Sequence, residues 1–224
     1  MKLVLLHSPL VGSGMWKAVA ALLAARGHDV VVPDLAPVLR GPSSYYPRLA
    51  QVAAGAAGGS TQKTVLVVHS GAGALVPAIA QRAKLSGAVF VDALLPHPGQ
   101  SWFETAPETL KARLRDLARD GRLPPWDRWW PKDSIRTLLP ERGQYDGFVG
   151  ELAALPLAYF EEAAPDAVLA TPSAYLQLSD GYKTDADATE AKGWPVARLT
   201  LHHLAMLTHP EAVAVAIESL CAAF

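Results

Sequence analysis

Six short apolar, β-branched runs limit what this chain can fold into: KLVLLHS (2–8), DVVVPDL (29–35), TVLVVHS (64–70), GAVFVDA (87–93), SAYLQLS (173–179) and VARLTLH (196–202). Most are nearly continuous in hydrophobicity rather than alternating, which is the pattern of strands buried on both faces. Helical patterns separate them. MWKAVAALLAARGHD (15–29) closes at Gly27, a natural helix stop, and GALVPAIAQRAKLSG (73–87) follows the third run. Strands alternating with helices through right-handed crossovers make an α/β fold: a doubly wound, six-stranded, mostly parallel sheet covered on both sides. A mixed α+β fold would need hairpin turn signals that the sequence lacks.

The rhythm breaks once. Between the fourth and fifth runs lies a stretch from 94 to 172, far longer than a crossover helix requires. The expected organisation is therefore a core of 1–93 and 173–224 with a helical lid, 94–172, inserted after the fourth strand. Within the insert, TAPETLKARLRDLARDG (105–121) reads as an amphipathic helix. Thr105 and Glu108 have the spacing of a capping box, Leu110, Leu114 and Leu117 share a face, and Gly121 ends it. Four of the six tryptophans (Trp102, Trp126, Trp129 and Trp130) fall in the insert. Singly each reads as core of the insert, but together they suit an apolar pocket roof, with Trp102, Trp126 and Trp130 as candidate substrate contacts.

Composition narrows the partners. A formal net charge of −1 with no basic stripe argues against nucleic acid. Cys221, the one cysteine, excludes an internal disulfide and a cysteine metal cluster, and reads as core of the last helix. The apolar run at 3–6 is too short for a signal peptide and no segment has the length of a membrane span, so no membrane partner is expected and the cytoplasm is the default location. The histidines are not spaced as a metal ligand set, and the VGSG stretch (11–14) lacks the rest of a phosphate loop, so neither a metal nor another cofactor is expected. The expected partner is a small-molecule substrate. Assembly stays open between a single chain and a homodimer.

The third run leads into VVHSGAGAL (67–75). A serine at a strand tip, followed by small residues and a helix, has the layout of a nucleophile elbow, in which the residues two before and two after must let strand and helix approach. Ala72 meets that need, whereas Val68 stands where glycine is usual. Ser70 as a plain helix N-cap is the equally weighted alternative. After the last run comes HHLAMLTHPEAVAVAIESL (202–220), with Pro210 in the first turn of the closing helix. Ser70 and these histidines both fall at carboxyl ends of strands, where doubly wound sheets place ligands.

With the LLHS…W opening loop, the HSGAG elbow, the insertion after the following strand and HLAMLTHPEAV, the chain resembles the α/β-hydrolase superfamily over essentially its whole length. In layout it is similar to the plant methyl-esterase and hydroxynitrile-lyase group, and still more to small bacterial serine hydrolases. The resemblance implies Ser70 as nucleophile and His203, rather than His202, as the base that takes its proton. His202 then reads as structural or a pocket liner, His209 as a solvated residue at the last helix start, and His7 and His69 as satisfied buried histidines. For the orienting acid two positions stay open. Asp180 follows the fifth strand, but it lies earlier than the usual glycine-x-x-aspartate register, where Tyr182 stands instead. Asp92 ends the strand after the elbow helix, where certain haloalkane dehalogenases carry their acid, and it is preferred here. Asp185 and Asp187 read as first-turn helix residues.

The resemblance also implies an oxyanion hole with Gly71 as one backbone donor. The other usual donor is Pro9, which has no N–H. The N–H of Leu10 or the hydroxyl of Ser8 would have to replace it. The function implied is hydrolysis of a carboxylic ester, lactone or thioester of a small, fairly apolar molecule through a Ser-His-Asp triad and an acyl-enzyme. Two alternatives are a cofactor-free lyase or cyclase in which Ser70 and His203 shuttle protons, and a non-catalytic ligand-binding member of the fold.

Overall fold

The structure is a computed structural model that describes residues 1–59 and 61–224. Its strands in chain order are β1 (Lys2–Leu6), β2 (Asp29–Val31), β3 (Thr64–Ser70), β4 (Gly87–Ala93), β5 (Arg122–Leu123), β6 (Leu155–Pro156), β7 (Ser173–Gln177) and β8 (Val196–Arg198). Six of them form one sheet in the order β2-β1-β3-β4-β7-β8, with every neighbouring pair parallel. The chain steps from β1 outward to β2 and then returns to add β3 on the other side of β1. The crossover direction thus reverses between β1 and β3, and a crevice opens at their carboxyl ends.

The continuous apolar runs are explained by burial on both faces. Leu3, Leu5, Val65, Val67, Val89 and Val91 point to one layer, shared with Val19 and Leu23 of helix Lys17–Ala25 and Val213 and Ile217 of helix Pro210–Cys221. Val4, Leu6, Leu66, Val68 and Phe90 point to the other, against Leu49, Ala50 and Ala53 of helix Tyr45–Ala57 and Ile79 of helix Val76–Ala80. Alternation along each strand divides one apolar run between two cores. Each such side chain, fully removed from water, contributes roughly 1.5–3 kcal/mol. Cys221 is buried in the closing helix.

At the sheet edges the runs 29–35 and 196–202 overstate the strands, which stop at Val31 and Arg198. Pro33 cannot donate to a ladder, and both segments are only partly buried.

Residues 94–172 hold helices Trp102–Thr105, Glu108–Leu117, Ser134–Leu138, Arg142–Gly150 and Leu157–Glu161, with β5 and β6 paired antiparallel. The expected capping box at Thr105 and Glu108 is not formed. Pro107 is the N-cap of Glu108–Leu117, and that helix ends before Gly121. The same spacing four residues earlier does form one: Ser101 Oγ accepts from Glu104 N–H at 3.3 Å, and Glu104 accepts from Ser101 N–H at 2.6 Å. Gly121 instead takes a left-handed φ of +70° in the turn entering β5.

Two carboxylates tie this segment to the core. Glu162 accepts from the N–H groups of Tyr45 and Tyr46, both at 2.8 Å, and so satisfies the start of helix Tyr45–Ala57. Glu151 accepts from Gly14 N–H at 2.9 Å. A Cβ on Gly12 or Gly14 would lie 1.9 Å or 2.1 Å from a Glu151 carboxylate oxygen, so the glycines of VGSG seat this side chain.

Candidate active site

β3 ends in a strained turn. Ser70 has φ +54° and ψ −127°, outside the regions a side chain ordinarily permits, and the 3-10 turn Gly71–Leu75 follows at once. The tight approach is accommodated at Gly73, where a Cβ would lie 2.0 Å from the carbonyl oxygen of Leu94. Val68 is tolerated because it is an ordinary inward strand residue, paired in register with Leu6 and Phe90.

A bulge in β4 aims the acid. His69 pairs with Val91 and Ser70 with Ala93, which leaves Asp92 as the extra residue with φ +40°. The Tyr175 hydroxyl on β7 accepts from Ala93 N–H at 3.1 Å and donates to Ala93 C=O at 2.8 Å, satisfying the distorted backbone. Thus turned, the fully buried Asp92 carboxylate reaches the end of β7. Its Oδ1 accepts from the N–H groups of Leu178 (2.6 Å) and Ser179 (3.1 Å). Its Oδ2 accepts from the Ser179 hydroxyl (2.5 Å) and from His203 Nδ1 (3.2 Å). A carboxylate only accepts, so the neutral His203 ring carries its proton on Nδ1 and keeps a lone pair on Nε2. Asp180 is not brought to His203; it lines a separate surface depression with Lys183, Asp187 and Arg198.

Two rings pack on His203. The Tyr182 ring stacks on it with centroids 4.9 Å apart and planes 4° from parallel, and the His69 ring lies at 4.4 Å. His69 Nε2 donates to the His203 carbonyl at 3.0 Å. Burial, aided by the nearby His203, drives the His69 pKa well below its ordinary value, so that ring is a neutral strut. His7 is likewise neutral, its pKa lowered by burial; Nδ1 donates to Ser8 C=O at 2.8 Å and Nε2 accepts from Leu35 N–H at 2.9 Å. His202 packs aside, accepting from Leu204 N–H and meeting the Thr208 hydroxyl, and does not line the pocket. His209 is exposed at the start of the last helix.

Ser70 departs from the expected pairing. Among the described residues its hydroxyl bonds not to His203 but to the Tyr182 hydroxyl, at 3.4 Å. Burial holds the Tyr182 pKa above its ordinary value, so this hydroxyl stays protonated. Across the crevice the buried Ser8 hydroxyl lies beside Gly71, 3.2 Å from where a Cβ there would sit, and accepts from Leu10 N–H at 3.3 Å.

Ser70, Gly71, Ser179, Tyr182 and His203 open on a cavity of about 670 Å³, and Ser8 lies buried just behind its Gly71 wall. Trp102, Trp126 and Trp130 line it, together with Trp129, Leu10 and Ile135. Among the described residues its lining includes no lysine or arginine. Asp185, expected as a plain helix residue, is its one carboxylate among the described residues, with a pKa raised by burial and then by Asp92. Asp187 does behave as a surface residue, paired with Lys183 and Arg198.

Sequence reasoning missed Tyr182, Ser179, Tyr175 and Gly73. Only Tyr182 left a signal, because it stands in the register where an aspartate is usual.

A profile described as the Alpha/beta hydrolase family matches residues 3–216. The chain belongs to the alpha/beta hydrolase family. Among solved structures, this family member is similar to an extracellular alpha/beta-hydrolase from a Paenibacillus species. The TM-score is 0.78 at 21% identity over 98% of each chain, and that protein is described as sharing structural and functional homology with tobacco salicylic acid binding protein 2. It is also similar to a pyrethroid hydrolase from Sphingobium faniae JZ-2, with a TM-score of 0.75 at 21% identity over 98% of this chain and 96% of that one. Polyneuridine aldehyde esterase gives 0.71 at 16% identity over 98% of each. A search of curated proteins found no match. No described helix is long and apolar enough to cross a membrane.

Proposed function

We propose that this alpha/beta hydrolase is a serine hydrolase for carboxylic esters, including lactones and thioesters, of small, apolar, uncharged molecules. The observation that carries the reading is the Asp92–His203 bond at 3.2 Å, which leaves a lone pair on Nε2 in a ring lining the same cavity as Ser70. In this reading Ser70 turns from Tyr182 toward His203 as substrate enters; resting-state hydrogen bonds of this kind commonly tighten only in the complex. Nε2 takes the Ser70 proton, Oγ attacks the carbonyl, and Asp92 stabilises the imidazolium.

The developing oxyanion meets Gly71 N–H and the Ser8 hydroxyl. The Leu10 N–H already occupies a lone pair of Ser8 Oγ, so the hydroxyl proton is the group left to donate, replacing the N–H that Pro9 lacks. Residues 94–172 act as the lid, their tryptophans forming the roof, and the apolar lining without a cationic side chain selects uncharged substrates.

The missing Pro9 N–H favours one rival, a lyase or cyclase that moves protons without an acyl-enzyme. A fluorophosphonate probe followed by intact-mass measurement tests the proposal. A single adduct on Ser70, together with loss of ester turnover in Ser70→Ala, is expected. Ester turnover that survives Ser70→Ala would overturn the reading.

A further inference from the structure

We infer that Tyr182 is a catalytic residue that donates a hydrogen bond to the departing alcohol oxygen, so that the site is adapted to esters of poor leaving groups. The inference rests on the serine hydrolase reading above and extends it to the second half of the acylation step.

The donors around Ser70 divide between its two sides. Ser8 follows β1, on one flank of β3, and lies against Gly71, where a carbonyl oxygen would gather charge; Tyr182 and His203 follow β7 and β8, on the other flank. These last two stack as parallel rings 4.9 Å apart. When Oγ attacks, its proton passes to His203 Nε2 and the carbonyl π pair moves onto the carbonyl oxygen. On collapse that pair re-forms the double bond, and the bond to the leaving oxygen breaks with its electron pair on that oxygen. The proton on Nε2 then passes to it. The leaving oxygen must therefore face His203, and it is bonded to the same carbon as Oγ. The Tyr182 hydroxyl already reaches Oγ at 3.4 Å, which puts it in reach of a leaving oxygen bonded to the same carbon as Oγ.

Burial keeps this hydroxyl protonated, so it donates throughout and never competes with His203 as a base. It keeps its own proton; the charge it stabilises is the one that grows on the alkoxide before His203 delivers its proton. A thioester gains least from such a donor, because a thiolate is a weak hydrogen-bond acceptor and leaves readily.

The test is Tyr182→Phe, which retains the ring that stacks on His203 and removes only the hydroxyl. Wild type and variant are compared on acetate esters of alcohols that range from p-nitrophenol through phenol to methanol, with a thioacetate as control. The expected result is a loss in kcat/KM, which reports acylation, that grows with the basicity of the alcohol, to about a hundredfold for the methyl ester, and is smallest for the p-nitrophenyl ester and the thioester. An equal loss across the series, or no loss, overturns the proposal. Failure of the underlying reading looks different: wild type itself would turn over no ester in the series, and the fluorophosphonate would add no mass at Ser70.

Discussion

Replacing Asp92 by asparagine separates the two jobs of this carboxylate. The substitution keeps the shape and an oxygen on the Oδ1 side, so the N–H groups of Leu178 and Ser179 keep an acceptor. On the Oδ2 side an amide NH2 now faces the Ser179 hydroxyl and His203 Nδ1. The hydroxyl rotates and accepts. The imidazole accepts only by moving its proton to Nε2, which removes the lone pair that takes the Ser70 proton. A wrong tautomer of this kind costs on the order of 10⁴ in kcat, or about 5.4 kcal/mol of barrier. Stability falls less. Four charge-assisted bonds become neutral ones at about 0.5–1 kcal/mol each, giving a loss of about 2–4 kcal/mol. The assays are kcat/KM on a chromogenic acetate ester and the urea midpoint with its slope. A folded Asp92→Asn protein within tenfold of wild-type kcat/KM refutes the reasoning, and so does Asp180→Asn matching its loss.

Three further outcomes follow from the geometry. Ser8→Ala is expected to lower kcat about a hundredfold with KM little changed, since the lost donor acts mainly on the oxyanion; steady-state kinetics check the split. Gly73→Ala places a methyl against the backbone of Leu94 and is expected to cost about 1–3 kcal/mol and slow fluorophosphonate labelling of Ser70, measured by urea melts and labelling rate. His7 and His69 have depressed pKa values in the fold and ordinary ones, near 6.5, when unfolded. Above that pH neither state binds the proton. Below it only the unfolded chain does, so stability falls with pH by up to about 1.4 kcal/mol per unit for each histidine until the native values are reached, which a series of melts from pH 7.5 to 5 would follow.

The interior strands were legible because their hydrophobicity is continuous: the runs at 64–70 and 87–93 coincide with β3 and β4. At the edges the same signal outran the strands, since an edge segment stays apolar after it leaves the ladder. The misplaced capping box has a similar origin. Ser101–Glu104 and Thr105–Glu108 carry the same spacing, and a proline at 107 decides between them through backbone geometry that spacing does not encode. Ser70, His203 and the tryptophan roof could be suggested from positions along the chain. The preference for Asp92 over Asp180 rests on a family likeness and not on spacing, because both lie at strand ends. What separates their positions is a one-residue bulge that turns Asp92 inward. Tyr182 was visible only as an aspartate missing from its register; its stacking on His203 depends on a contact between residues 21 positions apart.

The charge of the cavity lining gives the site a direction. An uncharged ester could settle among its tryptophans without losing a strong hydration shell. Its hydrolysis would leave a carboxylate in a chamber that, among the described residues, offers no lysine or arginine and already holds Asp185, with Asp92 behind His203. The product acid would thus be driven out by the same walls that admitted its parent, and the chamber would work as a one-way valve.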